Sequence, residues 1–388
     1  NRFVIYTCSD TFEASKAFEM FVDLLGTDSV SFFPVEEFIS TDLVASSSEF
    51  KLARMMTLSN IIKNNPQVIV TNTDGILKNV MSSEMLRSSI LTYKVNDIYE
   101  IDDIVEELVI RGYKKTSITQ EIGTFSVRGS IIDIYPINEE EPIRLNFFDN
   151  EIDIIKTFDV STQRSIDKLK EVYIYPFYDV IYNDEEIPSI KERISDSQLY
   201  NEKTINVINN IEQHIGLDQL YLYLPYIDPT YQTFVDLIDK KILVVSNYLK
   251  ALEKEEQTYN ELYEYMSNTK FSADMEFFKS FKQILAISNK NLYFESFGAE
   301  NKEIDHDLSI DLQTSNNVEY NNYLPSMVKE FKLNQNKTYI VTHYDEQKLK
   351  LIKDLLDSEQ IKYSKVDSIS KNKINLVVSN NALGFVDY

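Results

Sequence analysis

Tryptophan is absent from this chain of 388 residues, and cysteine occurs once, as Cys8. A lone cysteine excludes an intramolecular disulfide and any cysteine-based zinc cluster. It also suits a reducing compartment, so the expectation is a cytoplasmic protein. Without tryptophan a base-stacking platform loses its best side chain. Most of the 25 tyrosines and 22 phenylalanines are read as core. Positive charge is also scarce: 39 Lys and Arg stand against 62 Asp and Glu, a formal net charge of −23. Neutralising a phosphate backbone needs clustered cations, so the surface as a whole is not that of a nucleic-acid binder. No apolar run approaches the roughly 18 residues of a membrane span. Asp10, Glu13 and Glu19 do not suit a signal peptide.

Glycine is limited to eight residues, and no Gly-x-x-x-x-Gly-Lys occurs anywhere. The backbone amides of such a loop are what hold nucleotide phosphates, so competent ATP binding is not expected. Gly-x-Ser-x-Gly is missing too, which removes the nucleophile elbow of a hydrolase. His214, His306 and His343 lie far apart, and a single histidine between Asp305 and Asp307 is ordinarily a solvated loop residue. We therefore expect no catalytic residues, no bound cofactor and no metal in this chain.

What is present supports real cores: 43% of residues are hydrophobic and 26% charged. Apolar spacing predicts a strand at Phe3–Tyr6, a helix over 11–25 ending at Gly26, a strand over 29–33, a helix over 50–62 and a Val-Ile-Val strand over 67–71. Alternation of that kind implies a parallel sheet. The fold class expected is multi-domain α/β: a helicase-like parallel domain without a phosphate loop, interrupted by a small mixed domain with an antiparallel sheet, then a small C-terminal α/β domain. The boundaries placed are 1–84 for the first half of the α/β domain, 85–160 for the small domain, 161–320 for a return segment completing the first sheet, and 321–388 for the last domain. The return segment is expected to hold a long polar helix over 190–215, strands over 217–224 and 241–246, and helices over 247–266 and 274–287. Because the chain opens directly on a strand, it reads as a piece of a longer protein.

The stretch from Gly123 to Ser165 carries the most information. Phe125 and Val127 alternate with Ser126 and Arg128 as in a half-buried strand. After Gly129 the apolar set moves to even numbers, Ile132 and Ile134. A parity change inverts the buried face unless a residue is inserted, and Gly129 is read as a bulge that aims Arg128 outward. The runs 143–148 and 151–158 flank Asp149-Asn150 and predict a hairpin. Arg144 and Asn146 share one face of it. Residues 111–130 hold four basic residues (Arg111, Lys114, Lys115, Arg128) against one acidic residue (Glu121). A basic island on an acidic chain points to a partner bearing carboxylates or phosphates, and the plain alternative is a solvated sheet face.

Gly-x-Phe-x-Val-Arg-Gly-x-Ile-x-Asp-Ile-Tyr-Pro from Gly123, then Pro-x-Arg-x-x-Phe-Phe-x-x-Glu-Ile-Asp, then Phe-Asp-x-x-Thr-Gln-Arg-Ser, resembles the N-terminal module of bacterial transcription-repair coupling factors. UvrB, of nucleotide-excision repair, shares the first two parts; the Thr-Gln-Arg-Ser ending favours the coupling factors. The sharp motifs lie between 112 and 165, and the flanks match in order and length. The resemblance implies a protein-interaction module that recruits the ATPase UvrA to RNA polymerase stalled at DNA damage, with the small domain presenting the UvrA-binding surface. Carried over by motif position, Arg128 is the leading contact. Lys114 stands where the family usually has arginine, and lysine lacks the bidentate fork. Arg144, Asp149 and Glu151 are its neighbours. RNA polymerase and double-stranded DNA would be met through other parts of the parent, and ATP and Mg would serve only the parent's translocase motor. Two other readings stay open: a UvrB-type DNA damage-recognition subunit, which needs a phosphate loop and a DNA-gripping hairpin, and an unrelated cytosolic α/β enzyme, which needs a ligand site at the carboxyl ends of the sheet.

Overall fold

The computed structural model describes residues 2–36, 48–65, 67–196, 202–214, 220, 223–269, 279–294, 307–310, 314–316, 324–333, 339–343, 346–365, 374–378 and 385–387. The chain opens with β1 (Phe3–Cys8), α1 (Thr11–Leu25), β2 (Val30–Phe33), α2 (Ser48–Ile62), β3 (Val68–Asn72) and the short α3 (Thr73–Leu77). The strands are rich in Val, Ile and Phe and bury most positions, as parallel strands covered on both faces must. Asp10 caps α1, its carboxylate accepting the Glu13 N–H at 2.8 Å. The helix ends at Gly26, as its sequence predicts. Its inner side packs Ala14, Ala17, Phe18, Phe21 and Val22 against Val30 and Val70.

From here the chain builds a second sheet. It passes through β4 (Asn79–Val80), α4 (Ser83–Ser88), β5 (Leu91–Lys94) and α5 (Ile101–Ile110). Six strands follow: β6 (Lys114–Lys115), β7 (Thr124–Arg128), β8 (Ile131–Ile134), β9 (Ile143–Phe148), β10 (Glu151–Phe158) and β11 (Ser165–Leu169). They lie in the order β11-β10-β9-β8-β7-β6, antiparallel except for the β6–β7 pair. The sheet is therefore mixed. Next, β12 (Glu171–Ile174) pairs antiparallel with β5. Helix α5 and the β5–β12 ribbon cover one face, where Phe125, Ile132, Ile134, Ile143, Leu145, Phe147, Ile152 and Ile155 meet Ile104, Leu108, Tyr93 and Val172. The opposite face is the polar one. Elements tied to this sheet thus run from 91 to 174, past residue 160.

Gly129 is not a bulge. Gly129 and Ser130 form the two-residue loop of a β7–β8 hairpin, with Phe125 opposite Ile134 and Val127 opposite Ile132. In that register odd residues on one strand face even residues on the other, and this alone produces the parity change. Gly129 takes φ +61° at the first loop position, as a type II′ turn requires. The β9–β10 hairpin forms as expected around Asp149-Asn150, with Asp149 itself at φ +59°. A true bulge does occur in β10, between Ile152 and Ile154, and lets Ile152 and Ile155 both face the core.

The chain then returns to the first sheet through α6 (Ile187–Asp196), α7 (Glu202–Glu212), α8 (Leu224–Ile227), β13 (Gln232–Thr233), β14 (Lys241–Val245), α9 (Tyr248–Thr269), α10 (Phe281–Ala286) and β15 (Asn291–Tyr293). Strand β14 pairs parallel with β1, placing Ile242 beside Val4, and β15 pairs with β14. The completed order is β15-β14-β1-β3-β2. Two helices stand where one was expected over 190–215. The expected strand over 217–224 lies mostly outside the described residues, and Leu224 begins a helix instead. Of the helix expected over 274–287, residues 274–278 lie outside the described residues and α10 occupies 281–286.

Contacts divide the chain into compact units at 1–299 and 300–388. The second holds β16 (Thr314–Asn316), α11 (Leu324–Leu333), β17 (Tyr339–His343), α12 (Glu346–Ser358), β18 (Ser364–Lys365), β19 (Ile374–Val378) and β20 (Phe385–Asp387). Strands β17, β19 and β18 make a parallel sheet. Its core joins Met327, Phe331, Leu349, Ile352, Leu356 and Leu376.

Candidate functional site

The polar face of the six-stranded sheet is organised by one carboxylate. Asp133 on β8 is fully buried, at 0% exposure. A buried charge must be paired and hydrogen-bonded to be tolerated, and two arginines meet this one. Arg144, opposite it on β9, is bidentate: Nε lies 2.6 Å from Oδ1 and Nη2 2.9 Å from Oδ2. Arg144 also donates from Nη1 to the Gln163 carbonyl at 3.2 Å and lies 4.4 Å over the Phe158 ring. Arg128, at the end of β7, donates from Nη2 to Asp133 Oδ2. The Thr119 hydroxyl lies 3.1 Å from the Asp133 carbonyl oxygen.

The two arginines are not equivalent. The Arg144 side chain is 13% exposed and is held on every side, whereas that of Arg128 is 46% exposed and tethered by one nitrogen. Arg128 therefore presents the rest of its planar fork to solvent in a fixed pose. Lys114 lies exposed on the β6 edge, its backbone N–H spent on Gly123 O at 2.9 Å. Asp149 and Glu151 are exposed at the far hairpin. The structure thus brings Arg128 and Arg144 together and leaves Lys114, Asp149 and Glu151 at the sheet's margins.

Phe148 was missed at the sequence level. It is 79% exposed at the end of β9, on the face of Asn146 and Arg144. Sequence held the signal: Phe147 belongs to the buried set Ile143, Leu145, Phe147, so the adjacent Phe148 must point the other way. Ile131 and Ile154, paired across the sheet with Asn146, are half-buried on this face. Arg128 and Phe148 together offer a guanidinium and an exposed ring beside half-covered aliphatics, the composition of a protein-binding surface.

A second cationic cluster was not legible either. Arg54 on α2 reaches Asp179 Oδ2 from Nε at 3.2 Å and Nη2 at 2.7 Å, and donates from Nη1 to Pro34 O at 3.1 Å. Lys78 Nζ lies 3.8 Å from the same Oδ2. Burial lowers the Lys78 ammonium to about 8, only partly opposed by Asp179. Burial pushes the Asp179 carboxyl up, but Arg54 and Lys78 together outweigh it and hold it below the usual range. Beside this joint Tyr178 packs on Gly112, where an added Cβ would meet the ring at 2.6 Å and where φ is +90°. Tyr113 donates to Tyr175 O at 2.7 Å. The segment leaving the six-stranded sheet is thereby pinned to α2.

At the turn between β1 and α1, the Asp10 carboxylate occupies the amide-rich helix start that a phosphate would need, with Glu13 one turn on. His214 Nε2 lies 2.6 Å from Asp184 Oδ1, and its ring stacks on Tyr182. Among the described residues no three His, Cys, Asp or Glu gather to hold a metal, and no described helix is long and apolar enough to cross a membrane.

The fold is a parallel α/β domain that carries a separate sheet with an arginine-bearing outer face, and residues 91–179 match the family model of the UvrB interaction domain. Those residues are the six-stranded sheet and the elements covering it. The chain is homologous to transcription-repair-coupling factors. It is 27% identical over 315 residues to that of Bacillus subtilis (strain 168), covering 76% of this chain and 27% of the relative. It is 31% identical over 194 residues to that of Staphylococcus aureus (strain bovine RF122 / ET3-1), covering 50% of this chain and 16% of the relative. The same figures hold for the protein of Staphylococcus aureus (strain USA300). The chain thus spans about a quarter or less of the length of these relatives.

Proposed function

We propose that this chain is a recruitment module of transcription-coupled repair, which binds UvrA through the polar face of the six-stranded sheet and brings it to RNA polymerase stalled at DNA damage. The observation that supports this most is a coincidence of place: the residues matching the UvrB interaction domain are those whose outer face carries Arg128 and Phe148. Arg128 meets a carboxylate of UvrA with its free N–H groups, a charge-assisted contact worth about 1.5–3 kcal/mol when desolvated. Phe148 fills an apolar pocket and supplies the buried aromatic anchor that interfaces concentrate their energy on. Arg144 and Asp133 set the pose of Arg128. This chain contributes binding rather than catalysis; the carboxylate of Asp10 at the helix start supports that division. ATP-driven translocation, and contact with polymerase and double-stranded DNA, belong in this proposal to other parts of a longer protein.

The test is a titration of the chain against UvrA, with Arg128→Ala alongside at fixed salt. Binding by the wild type, weakened at least about tenfold in the variant, is expected. A folded wild type that leaves UvrA unbound overturns the proposal.

A further inference from the structure

Four positions face one another across the same sheet face: Asp133 on β8, Arg144 on β9, Lys156 on β10 and Lys168 on β11. Three successive cations stand directly opposite each other, spaced about 4.8 Å per strand. Like charges in direct cross-strand register destabilise a sheet. Among the described residues the one carboxylate ion-paired with any of the three is Asp133, on Arg144, and its two oxygens are already taken by Arg144 and Arg128. Among the described residues Lys156 and Lys168 make no ion pair. Lys168 is exposed, on an edge strand whose residues Ser165–Lys168 are all exposed, and Lys156 is half-buried. A chain with 62 acidic residues had ample means to pair these lysines and leaves them aligned.

Resting on the UvrA reading above, we infer that the partner contact runs the width of the sheet, from Arg128 and Phe148 to Lys156 and Lys168, and that the lysine end receives an acidic protein segment. Charge complementarity fixes the sign of the occupant. Its class follows from the neighbours: Ile131 and Ile154 lie in the adjoining row and Phe148 in the row beyond it, and apolar side chains gain nothing from a phosphate backbone. The net charge of −23 also repels nucleic acid at long range. The lysines act chiefly on encounter, since exposed charges steer association more than they hold the complex.

Association and dissociation rates of UvrA test this, for the wild type, Lys156→Gln/Lys168→Gln, Lys168→Gln alone and Arg128→Ala, between roughly 50 and 300 mM salt. The double variant is expected to associate about fivefold more slowly at the lowest salt, with a flatter salt dependence and a nearly unchanged dissociation rate. Lys168→Gln, at an exposed position, is expected to show part of the same loss with an unchanged melting curve. Wild-type rates and salt dependence in both lysine variants, with Arg128→Ala impaired, overturn the extended row and leave the UvrA proposal standing. Failure of the wild type to bind overturns both. A 20-base-pair duplex that binds the wild type and is lost in the lysine variants, with UvrA rates unchanged, overturns the acidic-protein assignment.

Discussion

Asp133 and Asp179 solve one electrostatic problem in opposite settings. Each is a carboxylate met by two cations, Arg144 and Arg128 in one case and Arg54 and Lys78 in the other. Around Asp179 both cations are buried, their side chains 6% and 9% exposed. Around Asp133 one cation is largely covered, its side chain 13% exposed, and the other, at 46%, reaches solvent. A cluster whose cations are both buried holds structure together, here the segment leaving the six-stranded sheet against α2. A cluster with one open arm holds structure and also presents a charge. The difference lies in the last cation's exposure, 46% for Arg128 against 9% for Lys78.

Breaking the closed cluster should have the largest effect on stability. Asp179→Ala leaves Arg54 and Lys78 buried without an anion and is expected to cost about 3–5 kcal/mol in urea denaturation. The folded fraction should bind UvrA as before. Asp133→Ala should cost about 3 kcal/mol by the same reasoning, because Arg144, only 13% exposed, is left without its carboxylate. Unlike the joint variant it should also weaken UvrA binding, since Arg128 loses its tether; affinities of the two variants, corrected for folded fraction, check the contrast.

The joint has a pH signature. The folded Lys78 ammonium sheds its proton at about 8, against its ordinary value of 10.5. Between those values the unfolded chain holds more protons than the folded one. This group's contribution to unfolding free energy therefore rises with pH across that window, by on the order of 1–3 kcal/mol. Denaturation curves at several alkaline pH values should show the rise in wild type, and Lys78→Met should remove it. The open arm behaves differently: Arg128→Ala should change stability by less than about 1 kcal/mol while weakening UvrA about tenfold, about 1.4 kcal/mol.

How far sequence reached follows from what each feature depends on. Helix α1 was legible to the residue because its apolar spacing and its stop at Gly26 are local signals. The return of the chain to its first sheet was expected, and β14 beside β1 shows it. Gly129 was misread because a bulge and a two-residue hairpin both shift apolar parity, and only the pairing of β7 with β8 tells them apart. Arg128 is singled out by its motif position alone, and its tether to Asp133 is not legible there, since Asp133 sits among Ile132 and Ile134 and looks like any outward residue of an alternating strand. Phe148 was available by counting and was passed over. Asp179 and Arg54 lie 125 positions apart, and no local pattern links them.

The central claim, that the outer face of this sheet is the surface for UvrA, is met most directly by Phe148→Ala. The ring is 79% exposed, so its loss removes almost no packing from the folded chain. Calorimetric titration with UvrA beside a thermal melt of the same protein separates the two roles. An unchanged melt with affinity reduced about tenfold or more is the predicted result. An unchanged melt with wild-type affinity would contradict it.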